Sequence, residues 1–433
     1  MKVPLLNWCA IAATLAAGVT GCRTPYQTTG IKICEVTQDS AIVWTRLCAV
    51  DSRVDDTGAL PEIVHPKKSD AQTVPVRRPY AVFPDGLDVG TIDGAVPGSP
   101  GEICVRYRPV GSVEWSDTGW TAVDPNADFT RQMRLDALEA GSDYELQVRS
   151  RRRRMGAEGE TVSGRFRTAP AATEAAPVSF VVVTGQRYPR TDLPGQGFKA
   201  YPAMLALDPD FFVHTGDILY YDDFAKSVPL AHWHWQRTYS LPTNVEFHRN
   251  VASYFMKDDH DTICNDCWPS KDVSRMGEFT FEDGLRIFKE QVGMGEKTYR
   301  TIRWGKDLQI WLVEGRDYRS PNTMPDGPEK TIWGTEQMDW FKRTVTESDA
   351  TFRVLISPTP VVGPDRDKKS DNHANAVFAH EGRQLRAFLA SQKNMVVVCG
   401  DRHWQYVSQD PQTKLLEYSC GPLTDEHAGG WDS

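Results

Sequence analysis

The 433-residue chain reads as an α/β domain with a largely parallel sheet, preceded by an all-β domain of immunoglobulin or fibronectin type. Three observations predict this. Short period-two strands occupy the first part of the chain, a Pro- and Ala-rich stretch breaks the pattern, and apolar strand runs then alternate with helical spacing. The length exceeds the size at which single cores stop growing, which agrees with two domains. The net charge of -9 is spread along the chain and disfavours a nucleic-acid-binding face.

The N-terminus has the form of a targeting segment. Met1 and Lys2 give a positive start, Leu5 to Val19 is apolar, and Val19-Thr20-Gly21-Cys22 ends the run with small residues before a cysteine. This is the pattern of a bacterial lipoprotein signal over residues 1–21. It predicts export, with Cys22 as the lipidated first residue of the mature chain, anchored by hydrocarbon at the periplasmic face of the outer membrane or at the cell surface. No later run reaches the roughly 18 apolar residues of a spanning helix. In an oxidising compartment Cys34, Cys48, Cys104, Cys264, Cys267, Cys399 and Cys420 could pair, with at least one left over.

Residues 30–168 carry the all-β pattern. Ile31-Lys32-Ile33, Ala41 to Trp44, Ile103 to Tyr107, Tyr144 to Arg149 and Gly164 to Thr168 read as strands, and a Pro- and Gly-rich insertion lies near residues 54–101. Arg151 to Arg154 reads as an exposed hairpin tip. Residues 169–177, Ala-Pro-Ala-Ala-Thr-Glu-Ala-Ala-Pro, read as a linker. From 178 to 433 the strand candidates are Val178 to Val183, Phe211 to His214, Ser253 to Met256, Leu308 to Val313, Phe352 to Ile356 and Met395 to Val398. Met338, Phe341 and Val345 keep helical spacing, as do Leu385, Phe388 and Leu389.

Catalytic groups in such sheets gather beyond the carboxyl ends of the strands. Here those ends run into Gly216-Asp217-Ile218-Leu219-Tyr220, into Asp258-Asp259-His260-Asp261 followed by Asn265-Asp266, and into Gly400-Asp401-Arg402-His403. Converging carboxylates and imidazoles are costly to bury without compensating cations. A pair of metal ions is the natural compensation, and it suits phosphate ester hydrolysis: two cations share a carboxylate, activate a water and neutralise phosphoryl oxygens. A protonated imidazole beside the leaving oxygen adds general acid catalysis.

Each residue alone has a plainer account. An Asp after a strand-end Gly often caps a helix, and a single His is more often a hydrogen-bonded surface residue than a ligand. Their joint appearance after successive strands decides for a site. Cys264-x-x-Cys267 reads as a local disulfide or two neighbouring thiols, and His232-Trp233-His234-Trp235 reads as helix packing and surface. His373 is a further ligand or substrate contact reached by a long loop. No Walker-type loop, dinucleotide fingerprint or nucleophile elbow occurs.

These motifs resemble those of the alkaline phosphatase D (PhoD-like) family, and Gln38 to Leu47 resembles that family's N-terminal β-domain signature. The resemblance implies a calcineurin-like metallophosphatase sandwich with phosphomonoesterase or phosphodiesterase activity and iron and calcium as the metals. It implies Asp217 as the shared metal ligand, Tyr220 and His403 on iron, and Asp259, Asn265 and Asp401 among the remaining ligands. His260 faces substrate, oriented by Asp261, and Arg402 joins the substrate-binding set with His373. Alternatives are a phospholipase D-like diesterase near the membrane and a surface binding module that keeps the fold without catalysis. Two departures bear on this. Thr184-Gly185-Gln186 stands where the family shows a Ser-Cys-Gln type motif with an iron-binding thiolate. The chain also ends at Ser433, where the resembled fold adds strands to finish its second sheet.

Overall fold

The structure, a computed structural model, describes residues 24–54, 58–66, 78–366 and 368–429. The segment read as a lipoprotein signal, with Cys22, lies outside the described residues. Among those described, no helix is long and apolar enough to cross a membrane.

The N-terminal part forms β1 (Ile31–Cys34), β2 (Ala41–Arg46), β3 (Glu62–Val64), β4 (Tyr80–Val82) and β5 (Glu102–Pro109). The short β6 (Ser116–Asp117) and β7 (Thr121–Ala122) follow, then β8 (Thr130–Leu135), β9 (Asp143–Arg151) and β10 (Glu158–Arg167). The second part contributes β11 (Phe180–Val183), β12 (Phe211–His214), β13 (Ala252–Phe255), β14 (Arg300–Trp304) and β15 (Leu308–Leu312). It ends with β16 (Phe352–Ser357), β17 (Met395–Cys399), β18 (Tyr406–Gln409) and β19 (Leu416–Ser419).

Three main sheets result. One runs β11-β12-β13-β1-β2-β8, the second β14-β15-β16-β17-β19-β18, and the third β10-β9-β5-β6 with β7 on β5. The first sheet crosses from one part of the sequence to the other. β1 lies parallel to β13, with Cys34 opposite Ser253, so the N-terminal strands extend the sheet that begins with β11. One buried apolar cluster therefore holds side chains of all three sheets, among them Ile33, Val43, Val105, Val148, Phe211, Tyr254, Ile310 and Ile356.

Both faces of β1 and β2 are covered, and every residue in them is buried. Lys32 is the instructive case. Its alternating strand places it away from the third sheet, where the helix Phe281–Gln291 packs, and Nζ donates to the Gln291 carbonyl at 2.9 Å while lying 3.3 Å from the Trp44 ring centroid. The insertion packs its Ile92 and Ala95 on Leu230 and Trp233 of the helix Val228–Tyr239, and Trp233 Nε1 donates to the Asp93 carbonyl at 2.8 Å.

Two sequence expectations change here. The second sheet does not stop at β17: β19 joins it in parallel and β18 closes the edge, both after His403. Among the described residues the cysteines form no disulfide; all seven are free thiols, Cys264 and Cys267 buried.

Candidate metal centre

The site forms where the strands of the first two sheets end. Glycines let the ends meet. A Cβ on Gly216 would lie 2.6 Å from both N and Cβ of Asp258, and one on Gly400 would lie 2.2 Å from Thr215 Oγ1. The acidic and histidine residues that follow are held in left-handed backbone: Asp217 at φ 56°, Asp401 at 66° and His403 at 56°. Non-glycine residues adopt this region at a cost, and such strain concentrates at functional sites.

Asp217, 2% exposed, sits at the centre. Its Oδ2 accepts from His403 Nε2 at 2.9 Å and from the Tyr220 hydroxyl at 3.2 Å. Liganding atoms of three residue sets approach within 4.8 Å of one another: Asp217 with Asp259 and His260, Asp217 with Asp258 and Asp401, and Asp259 with Asp266 and Asp371. Asp217 belongs to two of these. Asp401 is reached by its N–H, which donates to Thr184 Oγ1 at 3.1 Å, and its carboxylate meets the Arg402 guanidinium.

Arg316, which follows β15, is fully buried among the acids. Its Nε donates to Asp258 Oδ1 at 2.6 Å, and Nη2 lies 3.3 Å from Asp371 Oδ2 and 3.7 Å from Asp259 Oδ2. Burial raises the Asp259 pKa, but Arg316 and His260 outweigh it and keep the carboxylate ionised. Burial dominates for Asp258, against the pull of Arg316 and with Asp259 and Asp217 beside it, so its pKa rises. Burial also pushes the Tyr220 phenol well above its usual range, with Asp217 and Asp259 adding to the shift.

His260 stacks on Tyr220 with ring centroids 4.4 Å apart. Its Nδ1 lies 2.9 Å from Asp222 Oδ1, on the turn Tyr221–Phe224. Burial would lower the His260 pKa, yet Asp259, Asp217 and Asp222 together raise it well above the ordinary value. The expected orienting partner was Asp261, and this is corrected. Asp261 accepts from the backbone N–H groups of Asp258 at 2.6 Å and Ile218 at 3.2 Å, tying two of the ligand loops together.

Three further expectations separate from the site. His373 is 1% exposed, with Nε2 3.0 Å from Glu381 Oε2 and its ring edge-on to Trp333, which leaves it no access to substrate. Arg402 is buried and donates to Asp365 Oδ1 at 2.7 Å, so its charge is spent within the protein. Asn265 is exposed, and its backbone N–H donates to Asp222 Oδ2 at 3.0 Å, which helps place the carboxylate that holds His260. The His232 to Trp235 run is buried on the helix Val228–Tyr239, with His232 Nε2 2.9 Å from Glu290.

Sequence reasoning missed Asp222, Arg316 and Asp371 as parts of the site, and also His427, whose Nε2 lies 2.6 Å from the Tyr220 hydroxyl. Asp371 stands two residues before His373 and could have been found there. Asp222 lies in the run that follows β12, two residues past Tyr220, whereas Arg316 and His427 fall in none of the strand-end motifs.

The donor set fits metal. Buried Asp217 Oδ1, Asp258 Oδ2 and Asp371 Oδ1 have no hydrogen-bond partner, and buried carboxylate oxygens are seldom left so without a cation. Carboxylate oxygen, phenol oxygen and imidazole nitrogen are the donors of hard and borderline ions.

Two sheets whose strand ends bring a central aspartate, further acids and histidines into one cluster form a site of the metallophosphoesterase class. Residues 234–431 match the model of the PhoD-like phosphatase family. No curated protein matches the sequence. Among solved structures, one of PhoD shares 16% identity, covers 92% of this chain and 77% of its own, and superimposes with a TM-score of 0.69. A purple acid phosphatase from yellow lupin (Lupinus luteus) seeds shares 12% identity, covers 93% of this chain and 66% of its own, with a TM-score of 0.57. At these identities the likeness is one of fold.

Proposed function

We propose that this phosphoesterase hydrolyses small phosphate monoesters or diesters outside the cytoplasm at a dinuclear metal site. The observation that carries the reading is Asp217, whose carboxylate belongs to two of the three ligand sets and is therefore placed to be shared by two cations. Asp259 stands on one side of it, with the His260 imidazole at the same edge, and Asp258 and Asp401 on the other, with Tyr220 and His403 adjoining. Bound cations would supply Lewis acidity to the phosphoryl oxygens and a lowered pKa for water. Iron and calcium are the metals the family resemblance favours.

The chain's own groups do the remaining work. Asp222 accepts from His260 Nδ1, which leaves Nε2 free to hand a proton to a departing alkoxide. Asp222, which stands outside the ligand sets, favours the protonated form of that imidazole. Arg316 holds the acidic loops at fixed distances, and the Asp261 carboxylate bridges the loops that carry Asp217 and Asp258. Phosphoryl transfer depends on such positioning and charge compensation more than on covalent participation.

Hydrolysis of p-nitrophenyl phosphate and bis-p-nitrophenyl phosphate, with and without chelator, tests the reading. Chelator-sensitive turnover of either is expected, and the better substrate assigns monoesterase or diesterase. Absence of turnover with every divalent ion tried would favour the binding-module alternative. Lipid anchorage through Cys22 belongs to the same proposal. Retention of full-size Cys22→Ala protein in the membrane fraction would refute it.

A further inference from the structure

Gly185, two residues past the end of β11, has φ 58°, and the space above it is already taken. A Cβ there would lie 2.9 Å from both Cδ2 and Nε2 of His403 and 3.1 Å from Cδ2 of His427. Two imidazoles thus occupy the volume that any side chain at position 185 would need, and their ring centroids are 4.2 Å apart.

The four groups around this point form a connected donor set. His427 Nε2 is 2.6 Å from the Tyr220 hydroxyl, which is 3.3 Å from His403 Nε2 and 3.2 Å from Asp217 Oδ2. Buried Asp217 Oδ1 lacks any partner, so the set has an unmet demand for positive charge.

The segment carrying His427 is fastened to the same strand end it serves. The Leu423 N–H donates to the Gly185 carbonyl at 3.0 Å, the Thr184 N–H to the Gly421 carbonyl at 3.3 Å, and the Gly429 N–H to the His403 carbonyl at 2.8 Å. These bonds hold both flanks of the short turn Asp425–His427, and Glu426 lies 3.8 Å from Arg190. Backbone bonds on both flanks fix where the turn sits, and the contacts of the ring with Tyr220 and His403 set its direction.

We propose that His427 is a metal ligand, supplied by the C-terminal segment in the place that side-chain-less Gly185 leaves open. The inference rests on the dinuclear-metal reading and completes one of its two ions with Asp217, Tyr220, His403 and His427. Two nitrogens and two oxygens make that position suited to a first-row transition metal.

The test is titration of the chelator-stripped protein with cobalt(II) alone, followed by its visible absorption, for the native chain, His427→Ala and His427→Gln. Circular dichroism establishes that each variant is folded. The expected result is affinity lowered at least about 10- to 100-fold in both variants with altered band shape, and recovery of the native spectrum in His427→Ala when free imidazole is added. Native affinity and spectrum in folded His427→Ala would overturn the proposal. Failure of the native protein to bind cobalt(II) would instead bring down the metal reading, and this inference with it.

Discussion

His403 Nε2 donates to Asp217 Oδ2 at 2.9 Å, joining the end of β17 in the second sheet to the end of β12 in the first. That bond crosses the seam between the sheets, so the fold and the site are specified together.

His260→Gln should lower kcat by about 10²- to 10⁴-fold with little change in KM, because the imidazole acts on the leaving oxygen. Asp222→Asn should cost roughly 10- to 100-fold. It should also move the alkaline limb of the pH–rate profile. The sign is fixed by the elevated pKa of His260: the acid form is present below it and lost as pH rises through it. Removing the Asp222 charge lowers that pKa, so the limb shifts to lower pH. An unmoved limb would assign it to another group.

Chelation should destabilise the fold, because Asp217, Asp258 and Asp371 each hold a buried oxygen without a partner. Metal present at a hundred times its Kd contributes about 2.7 kcal/mol. Calorimetry with and without chelator should therefore show a lower Tm for the stripped protein, restored by added metal.

Arg316→Met should be strongly destabilising, by about 3–5 kcal/mol, since it strands Asp258, Asp259 and Asp371 in the interior without their shared cation. Urea unfolding measures this. A loss below about 1 kcal/mol would mean that the acids had taken up protons or another cation at no cost.

His248 illustrates how acid should act away from the site. It is buried against Tyr201, Phe212, Phe247 and Phe255, and burial foremost, then Lys32 and His214, hold its pKa well below the ordinary value. In the folded state it stays neutral, while the unfolded chain protonates it below about pH 6.5. Stability is thus present above that pH and lost as pH falls, at up to about 1.4 kcal/mol per pH unit. His248→Gln should flatten the dependence of the unfolding free energy between pH 7 and 5 by about one proton.

Much of this was legible in the sequence, for a physical reason. Groups at strand ends fall in short loops, so Asp217, Asp259, His260, Asp401 and His403 stand beside apolar runs that any period-two reading finds. What the sequence hid depends on distance or on edges. Asp222 meets His260 from 38 positions away, and nothing around Arg316 marks it as the counterion of three acids. The union of β1 with β13 leaves no local trace, because pairing across two hundred residues is set by packing. Lys32 alternates as a solvent-facing residue does, yet a helix with Trp44 beneath it covers that face. Among the strands that escaped notice, β8, β14, β18 and β19 are polar or short, and the first three lie on sheet edges where polar residues are tolerated.

The most direct test of the central claim is the metal content of Asp217→Asn beside that of the native chain, by elemental analysis after equilibrium dialysis against iron and calcium. A carboxylate shared by two cations predicts about two ions per native chain and loss of both in the variant. Loss of a single ion, with the other bound as in the native chain, would contradict the shared role of Asp217.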